Sequence, residues 1–389
     1  MKYRRVGKTK LQIPAISCGG MRYQQSWNSD DPHTEESQKN VEACIRRAIE
    51  LGINHIETAR GYGTSEEQLG KILPLLPRDQ IIVQTKVGPD KDVEKFRANF
   101  EKSMRLLGVG YLDIFSIHGI NDDEALENTK VCLDQALQWQ KEGRIRHIGF
   151  STHGPTRVIL DAIRLGVFTH VNLHWYYIFQ ENWPAIEECK KRDMGVFIIS
   201  PNDKGGLLYN PSEKLKKLTE PLHPIVFNDL FCLLRPEVHT LSCGVAKPQD
   251  FDLHAEAVSL LDRAHEIVPR IVARLEAELD RVLGKEWMAT WRDGLPEWDE
   301  TPGEINIPVI LRMRNLAKAF DMVDYGRMRY NMLGSGGNWF PGKKAVELEK
   351  LDLKESLKKS KHAKAIPALL AEAHGMFEGE QKKRLQEGE

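Results

Sequence analysis

Short β-rich runs alternate with helix-like patterns from about residue 14 to residue 245, and this alternation constrains the fold more than any other feature. Eight of the runs have the length and residue types of strands. They are Ala15–Cys18, Asn54–Thr58, Ile81–Lys86, Leu112–Ile117, His147–Ser151, His170–Leu173, Val196–Ser200 and Val238–Ser242. Between them, apolar residues recur with a period near 3.6, which is typical of amphipathic helices. Eight strand–helix units in succession predict an α/β fold, a (β/α)8 TIM barrel.

An open, doubly wound sheet is the rival fold. Such a sheet normally carries a glycine-rich phosphate loop after its first strand, but this chain has SCGGMRYQ there, which lacks both GxGxxG and GxxxxGK[ST]. The barrel is therefore favoured. In barrels of this kind the chemistry lies at the carboxyl ends of the strands.

Charge balance and hydropathy narrow the possible partners. Lys and Arg total 55 against 56 Asp and Glu, which disfavours a general nucleic-acid-binding surface. No apolar run reaches the roughly 18 residues that span a bilayer, and the basic start has no apolar stretch after it. Six dispersed cysteines without a CxxC pair favour a reducing compartment. We expect a cytoplasmic protein that binds neither nucleic acid nor membrane.

The composition changes after the eighth strand. A long amphipathic pattern covers Asp262–Leu283, and a segment rich in Pro, Gly and acidic residues follows at 294–303. We therefore predict a barrel domain over residues 1–285 and a helical extension over residues 286–389. The last cysteine is Cys243, so this extension contains none.

Four ionisable or hydroxyl-bearing residues follow neighbouring strands at the predicted barrel rim: Glu57, Tyr62, Lys86 and His118. A tyrosine with a pKa near 10 is a poor acid at neutral pH, but an adjacent ammonium stabilises its phenolate. A carboxylate would keep that lysine charged, and a histidine would orient a carbonyl or relay a proton. Taken singly, each residue has an ordinary structural explanation. Together they suit protonation of an oxygen while hydride reaches the neighbouring carbon.

The chain resembles the aldo-keto reductase superfamily over nearly its whole length. The motifs that carry the resemblance occur in family order: KYRRVGKTKLQIPAISCGGMRY, IETARGYGTSEEQLGKIL, GYLDIFSIHG, GRIRHIGFSTHG and ISPNDKGGLL. The first is similar to the family's N-terminal hairpin and first strand. The resemblance implies that Tyr62 is the general acid and that Lys86 and His118 complete its tetrad. The family's carboxylate is normally aspartate, in D-T-A-x-x-Y-G, whereas this chain has Glu57, whose extra methylene puts full activity in question.

The family transfers hydride from a nicotinamide dinucleotide without a Rossmann motif, so the resemblance also implies a cofactor site. Ser151 and Asn172 match the positions that bind the carboxamide, and Trp175 matches an aromatic ring beside the nicotinamide, although ordinary rim packing would explain it equally well. The remaining candidates are Gly20 and Met21 after the first strand, Ser200, Lys204, Gly205 and Leu207 over the pyrophosphate, and Ser242, Gly244 and Lys247 at the adenosine end.

One position bears on the choice of nucleotide. Several family members place an arginine on the 2′-phosphate where alignment through Pro248 gives Asp250. An acid repels phosphate, so Lys247 would have to supply the charge. NADP(H) is the expected cofactor, and NAD(H) is not excluded.

The C-terminal third resembles the ferredoxin-like extension of one branch of the superfamily. GEINIPVILRMRNLAKAF and KAIPALLAEAH are similar to the segments beside that branch's cysteine clusters. Cluster binding needs cysteine thiolates, so we expect no iron–sulfur cluster here. A lid, a docking surface and an oligomer contact remain open as roles for the extension.

Two functions of different classes follow. The leading one is NAD(P)H-dependent reduction of an aldehyde or ketone to an alcohol, or the reverse, through Tyr62. The alternative is a nucleotide-binding sensor or partner subunit with little turnover. A barrel hydrolase is disfavoured because the strand ends carry no metal-ligand set or nucleophile motif. The substrate's identity and the oligomeric state are left open by the sequence.

Overall fold

A closed parallel barrel of eight strands forms the centre of the fold. The computed structural model describes residues 1–335 and 341–383. An antiparallel hairpin of β1 (Tyr3–Val6) and β2 (Leu11–Pro14) precedes the barrel. The barrel strands are β3 (Ile16–Gly19), β4 (His55–Glu57), β5 (Ile82–Val87), β6 (Leu112–His118), β7 (Ile145–Ser151), β8 (His170–Leu173), β9 (Gly195–Ile199) and β10 (Thr240–Gly244). They run in chain order around the barrel, and β10 closes it against β3.

The predicted fold class is confirmed. Each of the eight predicted strands is present, with its ends within two residues of the prediction. The hairpin implied by the resemblance is also present. The strand runs were recognisable because parallel barrel strands are buried on both faces and therefore read as nearly continuous apolar segments.

Helices cover the outside of the barrel and form the C-terminal part of the chain. They are α1 (Glu35–Glu50), α2 (Ser65–Gly70), α3 (Val93–Leu107), α4 (Asp123–Lys141), α5 (Thr156–Arg164), α6 (Trp183–Lys191), α7 (Glu213–Thr219), α8 (Pro224–Leu233), α9 (Phe251–Leu260), α10 (Ala264–Leu283), α11 (Lys285–Thr290), α12 (Ile307–Phe320), α13 (Val323–Met332), α14 (Lys354–Leu357) and α15 (Ile366–Phe377). None of the described helices is long and apolar enough to cross a membrane.

Helix α3 illustrates how local sequence determines these elements. Asp92 caps its first turn by accepting a hydrogen bond from the Glu94 amide at 3.0 Å. Gly108 ends the helix at a positive φ of 63°, which glycine adopts without steric cost. On its buried face, Phe100 stacks on Trp139 of α4 with ring centroids 3.7 Å apart and contacts Phe115 of β6 edge-on. This aromatic layer joins α3 and α4 to the barrel wall.

The inside of the barrel is unusually polar, a feature that was not predicted from the sequence. Ser17, His55, Gln84, Ser116 and His170 are all buried there. Ser17 contacts His55 at 2.6 Å, His55 contacts Gln84 at 2.9 Å, and Gln84 donates to Ser116 at 2.9 Å. Ser116 in turn contacts the His170 ring at 2.8 Å. Such groups are tolerated in a core because each finds a hydrogen-bond partner.

The chain divides into two compact units. One consists of residues 1–205 and 228–265 and holds the barrel; the other consists of residues 206–227 and 266–389. Within the second unit, α12, α13 and α15 pack on one another, and Glu372 of α15 pairs with Arg314 at 2.5 Å and with Lys318 at 2.8 Å. The predicted helical extension is thus present. Its division from the barrel at residue 285, its likeness to a ferredoxin and the absence of a cluster stay predictions.

We expect Gly149→Ala to destabilise the protein. A Cβ added at Gly149 in β7 would lie 2.3–2.4 Å from three atoms of the buried His170 ring. Overpacking of this kind costs about 1–3 kcal/mol of unfolding free energy, measurable by denaturant titration. Gly110→Ala is the matched control, because no heavy atom lies within 4 Å of its added Cβ. Equal stability of the two variants would contradict close packing inside the barrel.

Candidate functional site

Backbone hydrogen bonds fix the loop that carries Tyr62. After β4, the Thr58 amide donates to the carbonyl of Gln84 and the Arg60 amide to that of Lys86, both at 2.8 Å. Gly63 then turns the chain at a φ of 52°, and a Cβ there would lie 1.8 Å from the Ser26 carbonyl oxygen. Only glycine fits this position. The loop therefore continues the β4–β5 pairing and places Tyr62 over the end of β5.

A buried ion pair lies beneath this loop. Lys86 Nζ is 2.9 Å from Glu57 Oε2, and the two residues are 1% and 2% exposed. The same ammonium donates to the Thr58 carbonyl at 3.0 Å. Burial lowers the pKa of Lys86, but Glu57 and Tyr62 outweigh that effect, so its pKa is raised overall. Lys86 is therefore an ammonium throughout the neutral range.

Tyr62 lies between this ammonium and His118. Lys86 Nζ is 4.9 Å from the centroid of the Tyr62 ring, and the His118 ring meets it edge-on with centroids 5.7 Å apart. Burial raises the pKa of Tyr62, and Lys86 offsets only part of that rise. The sequence predicted a lowered pKa; the net direction is upward because desolvation exceeds the attraction of the ammonium. Tyr62 is thus a protonated phenol at neutral pH, with a cation placed to stabilise its anion.

His118 is a neutral imidazole at neutral pH. Burial, together with the nearby cations of Lys86 and Lys204, lowers the pKa of His118 from 6.5 to about 3. A neutral imidazole has one donor and one acceptor nitrogen, so it can orient a carbonyl without adding charge. The structure therefore brings together all four residues predicted for proton transfer, and it adds Lys204 to the surroundings of His118.

Two residues predicted for the cofactor, Ser242 and Asn172, contact Glu57. Ser242 donates to Glu57 Oε1 in a short hydrogen bond, and Asn172 donates to Glu57 Oε2 at 3.2 Å. Both side chains are buried. These contacts were missed because the three residues lie on strands far apart in the sequence, which gives no signal for contact across a barrel.

The other candidates near the strand ends are placed as follows. Gly20 donates its amide to the Glu57 carbonyl at 2.8 Å, and the half-buried Met21 follows it. Ser151 is buried and accepts a hydrogen bond from the Gly119 amide at 3.2 Å. Trp175 is 2% exposed, and its ring stacks on Phe231 with centroids 5.0 Å apart. This contact agrees with a packing role for Trp175. Its contact with a nicotinamide stays a prediction.

The loop after β9 is tightly built. Ser200 has a φ of 48°, and its carbonyl accepts from the Lys204 amide at 3.1 Å. A Cβ on Gly205 would lie 1.7 Å from the Pro201 carbonyl oxygen, so this turn requires glycine. Leu207 belongs to the second unit and also has a positive φ, 52°.

The loop after β10 is capped by an acid. Asp250 Oδ2 accepts hydrogen bonds from the amides of Ala246 at 2.8 Å and Lys247 at 3.4 Å. The Asp250 carboxylate thus satisfies two backbone amides of this loop. Lys247 itself is exposed.

Three cationic residues follow neighbouring strands at this end of the barrel. Arg22, Lys204 and Lys247 follow β3, β9 and β10, which are adjacent in the closed barrel. The Arg22 stem lies 3.2 Å from the Cβ position of Gly244, and its guanidinium is 4.0 Å from Asp203. Three cations on neighbouring loops, beside glycines that permit close approach, suit a pyrophosphate. The sequence interpretation missed Arg22, although it directly follows Met21.

A second ionisable cluster lies beside this site, because Cys243 stands between Ser242 and Gly244 on β10. Asp229, Cys243 and His254 are buried together. His254 Nδ1 is 2.5 Å from Asp229 Oδ2 and 3.4 Å from Cys243 Sγ, while Asn202 contacts the other ring nitrogen at 3.0 Å. Two tetrahedral ligands of one zinc ion would be separated by roughly 3.3 Å. The contact between His254 and Asp229 is too short for that and is a hydrogen bond.

His118 should make the protein less stable as the pH falls. The unfolded chain protonates this residue below about 6.5, whereas the folded chain does so only near 3, so unfolding takes up a proton in between. The free energy of unfolding therefore falls by up to about 1.4 kcal/mol per pH unit through this group. His118→Gln should show a shallower slope between pH 6.5 and 4 in denaturant titrations. An unchanged slope would contradict a neutral imidazole at His118.

Comparisons with known proteins agree with the fold and identify a family. The sequence model of the Aldo/keto reductase family matches residues 15–256. L-glyceraldehyde 3-phosphate reductase of Escherichia coli K12 is 31% identical over 174 residues, which span 40% of this chain and 47% of that protein. L-galactose dehydrogenase of Arabidopsis thaliana is 28% identical over 215 residues, 52% of this chain and 65% of that protein. This chain thus matches only about half to two thirds of the length of these relatives.

Solved structures show the same fold. An aldo-keto reductase from Bacillus halodurans, in its holo form, superposes with a TM-score of 0.58 at 22% identity, covering 70% of this chain and 96% of that one. An aldo/keto reductase from Klebsiella pneumoniae in complex with NADP and acetate gives a TM-score of 0.53 at 20% identity, covering 67% and 94%.

Proposed function

The chain belongs to the Aldo/keto reductase family, and on that premise we propose that it is an NAD(P)H-dependent oxidoreductase that reduces an aldehyde or ketone to an alcohol, or runs the reverse reaction. The reductase and dehydrogenase names of its relatives support this class of reaction. The observation that carries the proposal is the buried pair of Lys86 and Glu57, 2.9 Å apart, beneath a protonated Tyr62.

The proposed mechanism assigns one task to each of the four residues. When bound, a reduced nicotinamide would supply the hydride that the carbonyl carbon receives. Tyr62 gives its hydroxyl proton to the carbonyl oxygen, and Lys86 stabilises the tyrosinate left behind. Glu57 keeps Lys86 charged in a site where burial by itself lowers the pKa of this lysine. Neutral His118 orients the carbonyl oxygen toward Tyr62. In the reverse direction the tyrosinate takes the alcohol proton.

For the nucleotide, we propose the set implied by the resemblance, extended by Arg22. Ser151 has a hydroxyl proton that can meet a carboxamide, since its oxygen already accepts from Gly119. Lys204 and Arg22 suit the pyrophosphate, and Lys247 suits the adenosine end. NADP(H) remains the expected cofactor, with NAD(H) as the alternative because of Asp250.

Tyr62→Phe should abolish turnover and leave nucleotide binding intact. Loss of a general acid lowers kcat by roughly 10²–10⁴-fold, and the phenyl ring keeps the packing against His118. The measurement follows the absorbance of NADPH with a panel of aldehydes and ketones, and nucleotide affinity by fluorescence. Tyr111→Phe is the matched control, because Tyr111 precedes β6 at the opposite end of the barrel, where it packs against Arg78 and Arg146.

Two outcomes would contradict the proposal. Activity retained in Tyr62→Phe would exclude Tyr62 as the general acid. Tight nucleotide binding by the wild type, with no turnover on any carbonyl or alcohol, would favour the sensor or partner subunit instead.

Asp250→Asn should raise the affinity for NADPH relative to NADH. The amide oxygen can still accept from the Ala246 amide, so the loop keeps its cap while it loses a negative charge. One like charge near a phosphate in water costs on the order of 1 kcal/mol, or about fivefold in Kd. Asp252→Asn is the control, because Asp252 lies two residues after Asp250 and its carboxylate already pairs with Arg47 at 2.9 Å. An unchanged ratio of the two Kd values would place the 2′-phosphate elsewhere.

A further inference from the structure

The carboxylate of Glu57 receives more hydrogen bonds than an ion pair with Lys86 requires. Oε2 accepts from Lys86 at 2.9 Å and from Asn172 at 3.2 Å, and Oε1 accepts from Ser242. All of these donors are buried. A carboxylate that is 2% exposed has almost no water around it, so donors of the protein have to take the place of that water.

The positions of these donors explain why the residue is glutamate. Glu57 ends β4, while Asn172 lies on β8, the strand directly opposite in the closed barrel, and Ser242 lies on β10, two strands away. The side chain therefore extends across the barrel rather than along its own wall. Aspartate is one methylene shorter and cannot keep all three contacts from the same backbone position.

The Asn172 amide is held in the orientation that serves Glu57. Its Oδ1 accepts from Gln84 Nε2 at 3.0 Å, which leaves its Nδ2 facing the carboxylate. Gln84 is oriented in turn, because its Oε1 can only accept and therefore takes a proton from His55 Nε2 at 2.9 Å. His55 Nδ1 then accepts from Ser17 at 2.6 Å. Each hydrogen bond in this series has one possible direction, and the series ends at the Glu57 carboxylate.

We propose that Asn172 and Ser242 are positioning residues, which hold the Glu57 carboxylate across the barrel against Lys86, and that glutamate is required at this position for the same reason. This inference rests on the proposed function, in which Glu57 keeps Lys86 charged. The nucleotide set proposed above also includes Asn172 and Ser242, so the tests measure hydride transfer at saturating nucleotide, where weaker nucleotide binding has no effect.

Asn172→Asp is the sharpest test, because it preserves shape and changes one donor. When the new carboxyl group at position 172 is protonated, it donates to Glu57 as the amide does, and the two carboxyl groups together carry one negative charge. Ionised, it offers no donor and repels Glu57. We therefore expect the single-turnover rate of hydride transfer at saturating nucleotide to fall about tenfold or more as the pH rises, and to recover toward low pH. The wild type should not show this dependence of the rate on pH.

Ser242 provides a second, independent pair of variants. Ser242→Ala should slow hydride transfer about tenfold, while Ser242→Thr keeps the hydroxyl and should restore most of the rate. Glu57→Asp should slow it by roughly 10²-fold through misplacement of the carboxylate. Thr129→Val is the control for loss of a buried hydroxyl, because the Thr129 hydroxyl on α4 donates to the Ala125 carbonyl of its own helix at 2.7 Å.

The results distinguish this inference from the proposed function. A rise in nucleotide Kd with unchanged hydride transfer at saturation would place Asn172 and Ser242 in the cofactor site and overturn the inference. A loss in Asn172→Asp that does not vary with pH would overturn it too. If the wild type shows no turnover, the proposed function fails, and a double-mutant cycle on unfolding free energy with Asn172→Ala and Glu57→Gln still decides: additive effects overturn the inference, and coupling supports it.

Discussion

The buried ion pair of Lys86 and Glu57 is the interaction on which the rest of the site depends. Removing two charges from water costs several kcal/mol per ion, and their attraction repays this only with good geometry and further hydrogen bonds. Here Thr58, Asn172 and Ser242 supply those bonds. The arrangement keeps a cation beside Tyr62 without giving the site a net charge.

The polar interior of the barrel follows from that requirement. A side chain that donates to the central carboxylate has to be held in the right orientation. The hydrogen bonds from His55 to Gln84 and from Gln84 to Asn172 hold the Asn172 amide in that orientation. Burial lowers the pKa of His55 to about 4, so His55 is neutral at neutral pH and these hydrogen-bonded residues add no charge near Glu57. The barrel core thereby contributes to the site as well as to the stability of the fold.

Much of the fold and the group of four residues were predictable from the sequence. Strand runs are local patterns, and a closed barrel brings the ends of β4, β5 and β6 to one rim. Contacts across the barrel were not predictable, because they depend on strand register and side-chain direction. The Glu57 contacts to Asn172 and Ser242 belong to this class.

The glutamate that departs from the family pattern has a different meaning in the structure. Alone in the sequence, its extra methylene suggested a misplaced carboxylate. In the fold, that length lets it contact Lys86, Asn172 and Ser242 at once. A departure from a motif was therefore matched by partners on other strands, and no local pattern could have revealed them.

The charge state of Lys86 is the most direct test of this account, and it needs no substrate. In protein labelled with ¹⁵N and ¹³C at lysine side chains, the Lys86 Nζ resonance can be followed across pH. Because Glu57 and Tyr62 raise its pKa above 10.5, the resonance should remain that of an ammonium up to about pH 10. A transition to the neutral amine near pH 7, as for a buried lysine without a partner, would contradict the account.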